Sequence, residues 1–129
     1  MSAQAIRSAN APTPIGPYSQ AILVNNMLFV SGQIAAEASA GGANALKYTI
    51  EQEVHGVMKN LGAILEAAGL DFSHVVKCTI FLKDFNHFAR LNEVYGSYFP
   101  TNPPARETVE VSRLPKDVNV EISCIAVAP

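Results

Sequence analysis

A chain of 129 residues, 49% hydrophobic and 16% charged, has the apolar content for one compact domain and rather little charge for the surface of a monomer. The 9 Lys and Arg against 11 Asp and Glu leave a net charge of −2 with no basic cluster, which argues against nucleic-acid binding in a basic groove and against a polybasic membrane contact. No apolar run reaches the roughly 18 residues of a membrane span, and the N-terminus lacks a hydrophobic signal core. Cys78 and Cys124 lie in separate apolar runs without metal-ligand spacing, so they are expected as buried free thiols in a soluble, reducing cytoplasmic compartment. His55, His74 and His87 are scattered and read as surface or helix-end residues.

Residues 1–17, with Pro12, Pro14 and Pro17, read as irregular. Two strand-like runs follow, residues 18–24 and 27–34, joined by Asn25-Asn26; asparagine tolerates the positive φ of a tight hairpin. Residues 35–47, rich in Ala and Gly, read as a mobile loop. Thr49 and Gln52 fit a capping box, and Ile50, Val54, Val57, Leu61, Ile64, Leu65 and Ala68 then recur at helical spacing up to Gly69, a natural helix stop. Residues 74–82 alternate as a strand. Asp84 is placed to cap a second helix carrying Phe88, Leu91, Tyr95 and Tyr98, which ends before Pro100. After a proline-rich connector come two more strand-like runs, around Arg106 and around Glu121, expected as a hairpin turning through Leu114-Pro115-Lys116-Asp117. The order ββαβαββ predicts an α+β fold with both helices on one face of a mixed sheet.

Alternation then assigns faces. Val30, Val109, Val111, Ile122 and Cys124 form the more apolar set and are expected under the helices. Ser31, Arg106, Thr108 and Glu121 would fall together on the uncovered face, beside Phe29, Ile125 and Val127. An uncovered apolar face is an interaction surface, so a second copy of the chain is expected to cover it, with the polar site at the interface. Each residue also has a structural reading. Arg106 could pair with Glu121 or Glu110 as a cross-strand ion pair; Glu121 could be a solvated strand residue; Ser31-Gly32 could be only a bend; Tyr18 could be a core aromatic with a satisfied hydroxyl. No Ser/His/Asp set, phosphate loop or metal-ligand cluster is visible.

The segments Ile15-Gly16-Pro17-Tyr18-Ser19-Gln20, Val30-Ser31-Gly32-Gln33-Ile34, Leu65-Glu66-Ala67-Ala68-Gly69, Val75 through Leu82, Leu91-Asn92-Glu93-Val94-Tyr95, Pro104-Ala105-Arg106, Leu114-Pro115 and Val120-Glu121-Ile122 together resemble the Rid family of reactive-intermediate (enamine/imine) deaminases, the YjgF-type proteins. The resemblance spans almost the whole chain. It implies a chorismate-mutase-like fold, two helices on one face of a mixed six-stranded sheet, as a single domain over residues 1–129. It also implies a homotrimer with sites in the clefts between subunits, and hydrolysis of 2-iminopropanoate or 2-iminobutanoate to the 2-oxo acid and ammonia. Under that resemblance Arg106 is the carboxylate anchor, a role that a planar guanidinium fills bidentately. Glu121 orients water and passes a proton to the departing nitrogen. Tyr18, Ser31, Asn92 and Thr108 bind substrate. No cofactor or metal is needed, because an imine is already electrophilic. The implied partners are small 2-imino and 2-oxo acids and further copies of the chain, with no nucleic acid and no membrane.

The sequence also departs from the family pattern. Thr108 stands where a cysteine is frequent, so a thiol mechanism fails there. Glu107 brings a negative charge next to Arg106, and Val-Glu-Ile-Ser replaces Ile-Glu-Ile-Glu. The alternative function is non-catalytic: a small-carboxylate binder, or a regulatory or chaperone-like trimer. The translation-inhibition and ribonuclease roles linked to family members sit poorly with the −2 charge, and a mutase acting on a dicarboxylate would want a second cation on the site face.

Overall fold

The computed structural model describes residues 2–35 and 48–129; of the expected 35–47 loop, residues 36–47 lie outside the described residues. Six strands form one sheet: β1 (Gln4–Ile6), β2 (Ala21–Val24), β3 (Met27–Gln33), β4 (Val75–Leu82), β5 (Ala105–Glu110) and β6 (Val120–Val127). Their order across the sheet is β1-β2-β3-β6-β4-β5. Every neighbouring pair is antiparallel except β4–β5, which is parallel. Two helices, α1 (Ile50–Ala67) and α2 (Phe88–Ser97), supply the second layer.

Local chemistry sets several boundaries. Asn25 turns the β2–β3 hairpin at φ 55°. Thr49 Oγ1 accepts from the Gln52 N–H at 3.2 Å, and Gln52 Oε1 accepts from the Thr49 N–H at 2.8 Å, the reciprocal bonds of a capping box. Gly69, at φ 76°, ends the helical segment. Asp84 caps a short 3₁₀ turn, Phe85–His87, which leads directly into α2.

The core lies between the helices and one sheet face. Val54, Val57, Met58, Leu61, Ile64 and Leu65 of α1 and Leu91 and Tyr95 of α2 are buried against Leu28, Val30, Cys78, Ile80, Leu82, Val120, Ile122, Cys124 and Ala126. Burying one such aliphatic side chain stabilises the fold by about 1.5–3 kcal/mol before chain entropy is counted. Cys78 and Cys124 are buried free thiols and directly opposed partners across β4 and β6.

Four expectations change. The segment before Pro12 contributes a sixth strand, β1, which its own residues signal only weakly. The runs around Arg106 and Glu121 do not form a hairpin: β6 inserts between β3 and β4, and β5 lies outside β4 as a parallel edge strand. Val109 is 44% exposed and Val111 half-buried rather than core. In β3, a bulge sets Ser31 and Gly32 opposite Ser123 alone, between the Val30–Cys124 and Gln33–Ile122 pairs. The bulge reverses the alternation, so Gln33 is buried while Ile34 reaches a cleft.

Candidate functional site

The six residues expected at the site fall into two groups on opposite sides of the sheet. The first group surrounds a cleft of about 490 Å³ lined by Tyr18, Ser31, Gly32, Gln33, Lys116 and Glu121 with the Pro12–Ile15 segment. Glu121 pairs with Phe81 across β4–β6 and shares its face with Ser123 and Ile125, away from the helices, while its neighbours Val120 and Ile122 are buried in the core. Burial pushes the Glu121 carboxyl above its ordinary value, because a desolvated carboxylate is disfavoured.

The β3 bulge builds the floor of this cleft. The Ser31 N–H donates to the Gln20 carbonyl at 2.9 Å, and Ser31 Oγ donates to the Ser19 carbonyl at 2.6 Å. A Cβ on Gly32 would collide with the Glu121 carboxylate, its Cδ at 2.8 Å, so only glycine admits the acid there. Sequence reasoning treated Gly32 as a possible bend; an isolated glycine inside a strand pattern is a signal of a bulge or close approach. The cleft wall is held by Gln20, whose buried side chain accepts from the Ser8 N–H at 2.7 Å and donates to the Ser8 and Pro12 carbonyls at 3.2 and 2.9 Å. Tyr18 is 47% exposed, not a core aromatic, and its hydroxyl accepts from the Ile15 N–H at 3.3 Å. Lys116 reaches the rim from a turn in which it and Asp117 have φ of 54° and 55°, held by the Arg113–Asp117 ion pair at 2.6 Å.

The second group lies on the helix-covered face. Arg106 pairs with buried Cys78 across the parallel β4–β5 ladder. Its guanidinium carbon sits 4.9 Å from the Tyr95 ring centre and 5.6 Å from that of Phe88, a cation–π arrangement worth about 0.5–2 kcal/mol. Phe88, Asn92 and Tyr95 follow one another along one stripe of α2. Thr108 shares the face with Arg106, two residues on. Thr108 Oγ1, Asn92 Oδ1 and His87 Nδ1 are buried with no hydrogen-bond partner among the described residues. The Tyr95 hydroxyl is likewise buried without a hydrogen-bond partner among the described residues, and burial first, then the nearby Cys78 thiol, pushes the phenol far up.

This overturns the assignment of Arg106 and Thr108 to the uncovered face with Ser31 and Glu121. Within one chain, Arg106 and Glu121 point to opposite faces from strands two places apart, about 10 Å at the usual strand spacing. The ion-pair reading also fails. No acid pairs with Arg106 among the described residues; Glu110 accepts from the Phe85 N–H at 2.9 Å. Glu107 faces the other way, bound to Lys77 at 3.1 Å and Thr79 at 2.9 Å, and these contacts, Lys77 first, lower its pKa. It is therefore not a free charge beside Arg106.

Among the described residues no group of three or more His, Cys, Asp or Glu side chains is arranged to hold a metal ion, and no helix is long and apolar enough to cross a membrane.

A model of the family described as endoribonuclease L-PSP matches residues 8–128. The chain is 51% identical to a RutC family protein of Pyrococcus horikoshii, over 95% of this chain and 96% of that one. It is 44% identical to the human 2-iminobutanoate/2-iminopropanoate deaminase, over 95% of this chain and 88% of that one. Its fold superposes on the crystal structure of Escherichia coli TdcF with bound serine at a TM-score of 0.87 and 38% identity, covering 98% of this chain and 100% of the other. The chain belongs to the endoribonuclease L-PSP family, the Rid or YjgF-type family that its motifs resemble.

Proposed function

We propose that the protein hydrolyses small 2-imino acids, 2-iminopropanoate and 2-iminobutanoate among them, to 2-oxo acids and ammonia, in sites shared between copies of a homotrimer in the cytoplasm. The observation that carries this reading is Arg106: a guanidinium on an edge strand that pairs with no acid among the described residues, flanked by buried oxygens of Thr108 and Asn92 that find no hydrogen-bond partner among them either. Buried polar atoms are rarely left without partners, so this side of β5 has the character of half a binding site. The other half is the Glu121 cleft of a neighbouring copy. Exposed Phe29 and Val109 on the uncovered sheet face supply apolar surface for that contact.

In this arrangement Arg106 and Lys116 favour an anionic substrate, with Arg106 gripping the carboxylate. Glu121 orients a water whose oxygen bonds to C2 of the imine as the C=N π pair moves to nitrogen. One water proton passes through the Glu121 carboxyl to that nitrogen, giving the 2-amino-2-hydroxy acid. The remaining hydroxyl proton then follows by the same route as the O–H pair forms the C=O, the C–N bond breaks with its pair on nitrogen, and ammonia leaves the 2-oxo acid. A carboxyl raised by burial suits this exchange, since it accepts and returns a proton near its own pKa. Mammalian relatives named as 2-iminobutanoate/2-iminopropanoate deaminases and a relative crystallised with serine, a small amino carboxylate, support the substrate class. The test is 2-oxobutanoate release from 2-iminobutanoate freshly generated by a threonine dehydratase. Acceleration over the spontaneous rate is expected; none at micromolar protein would reject the reading.

A further inference from the structure

Glu53 is the one buried acidic side chain among the described residues, 2% exposed in the first turn of α1. Among the described residues it pairs with no cation. Its Oε2 accepts from the backbone N–H of Asn119 at 2.8 Å and of Val120 at 3.0 Å, and its Oε1 accepts from Asn119 Nδ2 at 2.8 Å. All three bonds land on the two residues immediately before Glu121. The Lys83 N–H donates to the Asn119 carbonyl at 2.9 Å, so the start of β6 is tied from two sides. On the chain before it, the Pro115–Asp117 turn carries Pro115 and Lys116 to the rim of the Glu121 cleft.

We infer that Glu53 is a positioning residue for the site: from the helix layer it fixes the Asn119–Val120 backbone, and with it the direction in which Glu121 enters the cleft on the opposite side of the sheet. The inference rests on the proposed role of Glu121. Two backbone donors and one amide converging on a single carboxylate leave the strand start no freedom to slide or twist. A twist there moves the next side chain, and a displacement of about 1 Å at a catalytic group costs on the order of 100-fold in rate. Burial raises the Glu53 carboxyl despite the Asn119 and Val120 bonds and the nearby His87. This geometry therefore takes a costly acid where a neutral side chain would pack more cheaply.

The test compares Glu53→Met, which fills the space without an acceptor, with Glu53→Gln. In Glu53→Gln the amide oxygen can still take the two backbone bonds, while Asn119 turns its own oxygen to the new NH₂. On the assembled protein, Glu53→Met is expected to lower kcat for fresh 2-iminobutanoate at least 10-fold with KM within about twofold, and Glu53→Gln to recover most of it. The ¹³C titration of the Glu121 carboxyl reads position without activity: its midpoint should shift in Glu53→Met and return in Glu53→Gln. Full kcat together with an unmoved Glu121 midpoint in Glu53→Met would overturn the inference. A wild type that hydrolyses no imine would reject the deaminase reading alone, leaving the Glu121 titration to decide the positioning role. If Glu53→Met does not fold, Glu53→Asp, whose carboxylate falls one methylene short of the two backbone donors, must shift the Glu121 midpoint; an unmoved midpoint there overturns the inference too.

Discussion

Arg106 lies with its guanidinium carbon 4.9 Å from the centre of the Tyr95 ring, on the side of the sheet that the helices cover, whereas Glu121 enters a cleft on the other side. The two groups best suited to grip and hydrate an imino acid cannot meet in one chain, and they are proposed to meet between copies.

Removing the anchor should cost most. Arg106→Ala is expected to lower kcat/KM for 2-iminobutanoate roughly 30-fold to 1000-fold, the effect of losing about 2–4 kcal/mol of charged hydrogen bonding. Arg106→Lys should recover little, because an ammonium neither forks onto a carboxylate nor lies flat across Phe88 and Tyr95. Steady-state kinetics in the dehydratase-coupled assay checks both.

Complementation decides whether the site is shared. Arg106→Ala and Glu121→Gln should each be nearly inactive. When they are unfolded together and reassembled in equal amounts, about a quarter of interface sites receive both intact groups, since each comes from a different copy. Recovery of about a quarter of wild-type activity is the expected result; no recovery from verified mixed oligomers would overturn the shared site.

Gly32→Ala separates function from stability. The added Cβ meets the Glu121 carboxylate, a side-chain end that can swing aside, so thermal unfolding should change by about 1 kcal/mol or less. The same displacement should lower kcat at least 10-fold. A variant with full activity would show that the Glu121 position is not required.

Glu121 should also set the pH dependence. Its folded carboxyl is raised by burial, so activity needing the ionised form falls as pH drops through a midpoint above the ordinary glutamate value of about 4.3. The stability sign follows from the same shift. A raised carboxyl contributes stability fully below its unfolded pKa, and this is lost as pH rises through the folded value. Glu121→Gln should therefore raise the Tm relative to wild type at neutral pH, with the advantage shrinking toward acid pH. Equal Tm differences at both pH values would contradict the burial of this acid.

Local signals in the chain were read correctly where one segment suffices to decide the outcome. The Asn25 turn, the Thr49–Gln52 capping box and the Gly69 stop depend on neighbours within a few residues, and alternation names the buried positions of β6 and those of β4 from Cys78 on. Val76, expected on that buried face, is 47% exposed, because the register shifts between Val75 and Lys77 and Val75 is buried instead. The reversal at Ser31-Gly32 was missed because a bulge is defined only against the partner strand. Ser31, Tyr18 and Glu121 come together at one cleft, while Arg106, Thr108 and Asn92 form a separate cluster.

By itself, then, the sequence determined the element types, the caps, the family and the residues that carry chemistry, because these rest on short-range periodicity and side-chain identity. Only the tertiary structure decided which side of the sheet each residue occupies. Alternation sorts a strand into two sets but does not say which set the helices cover. In β5 the more apolar set, with Val109, faces outward, and the set with Arg106 faces the helices, because the parallel pairing with β4 aligns Arg106 with Cys78 and the Phe88 and Tyr95 rings of α2 hold its flat cation.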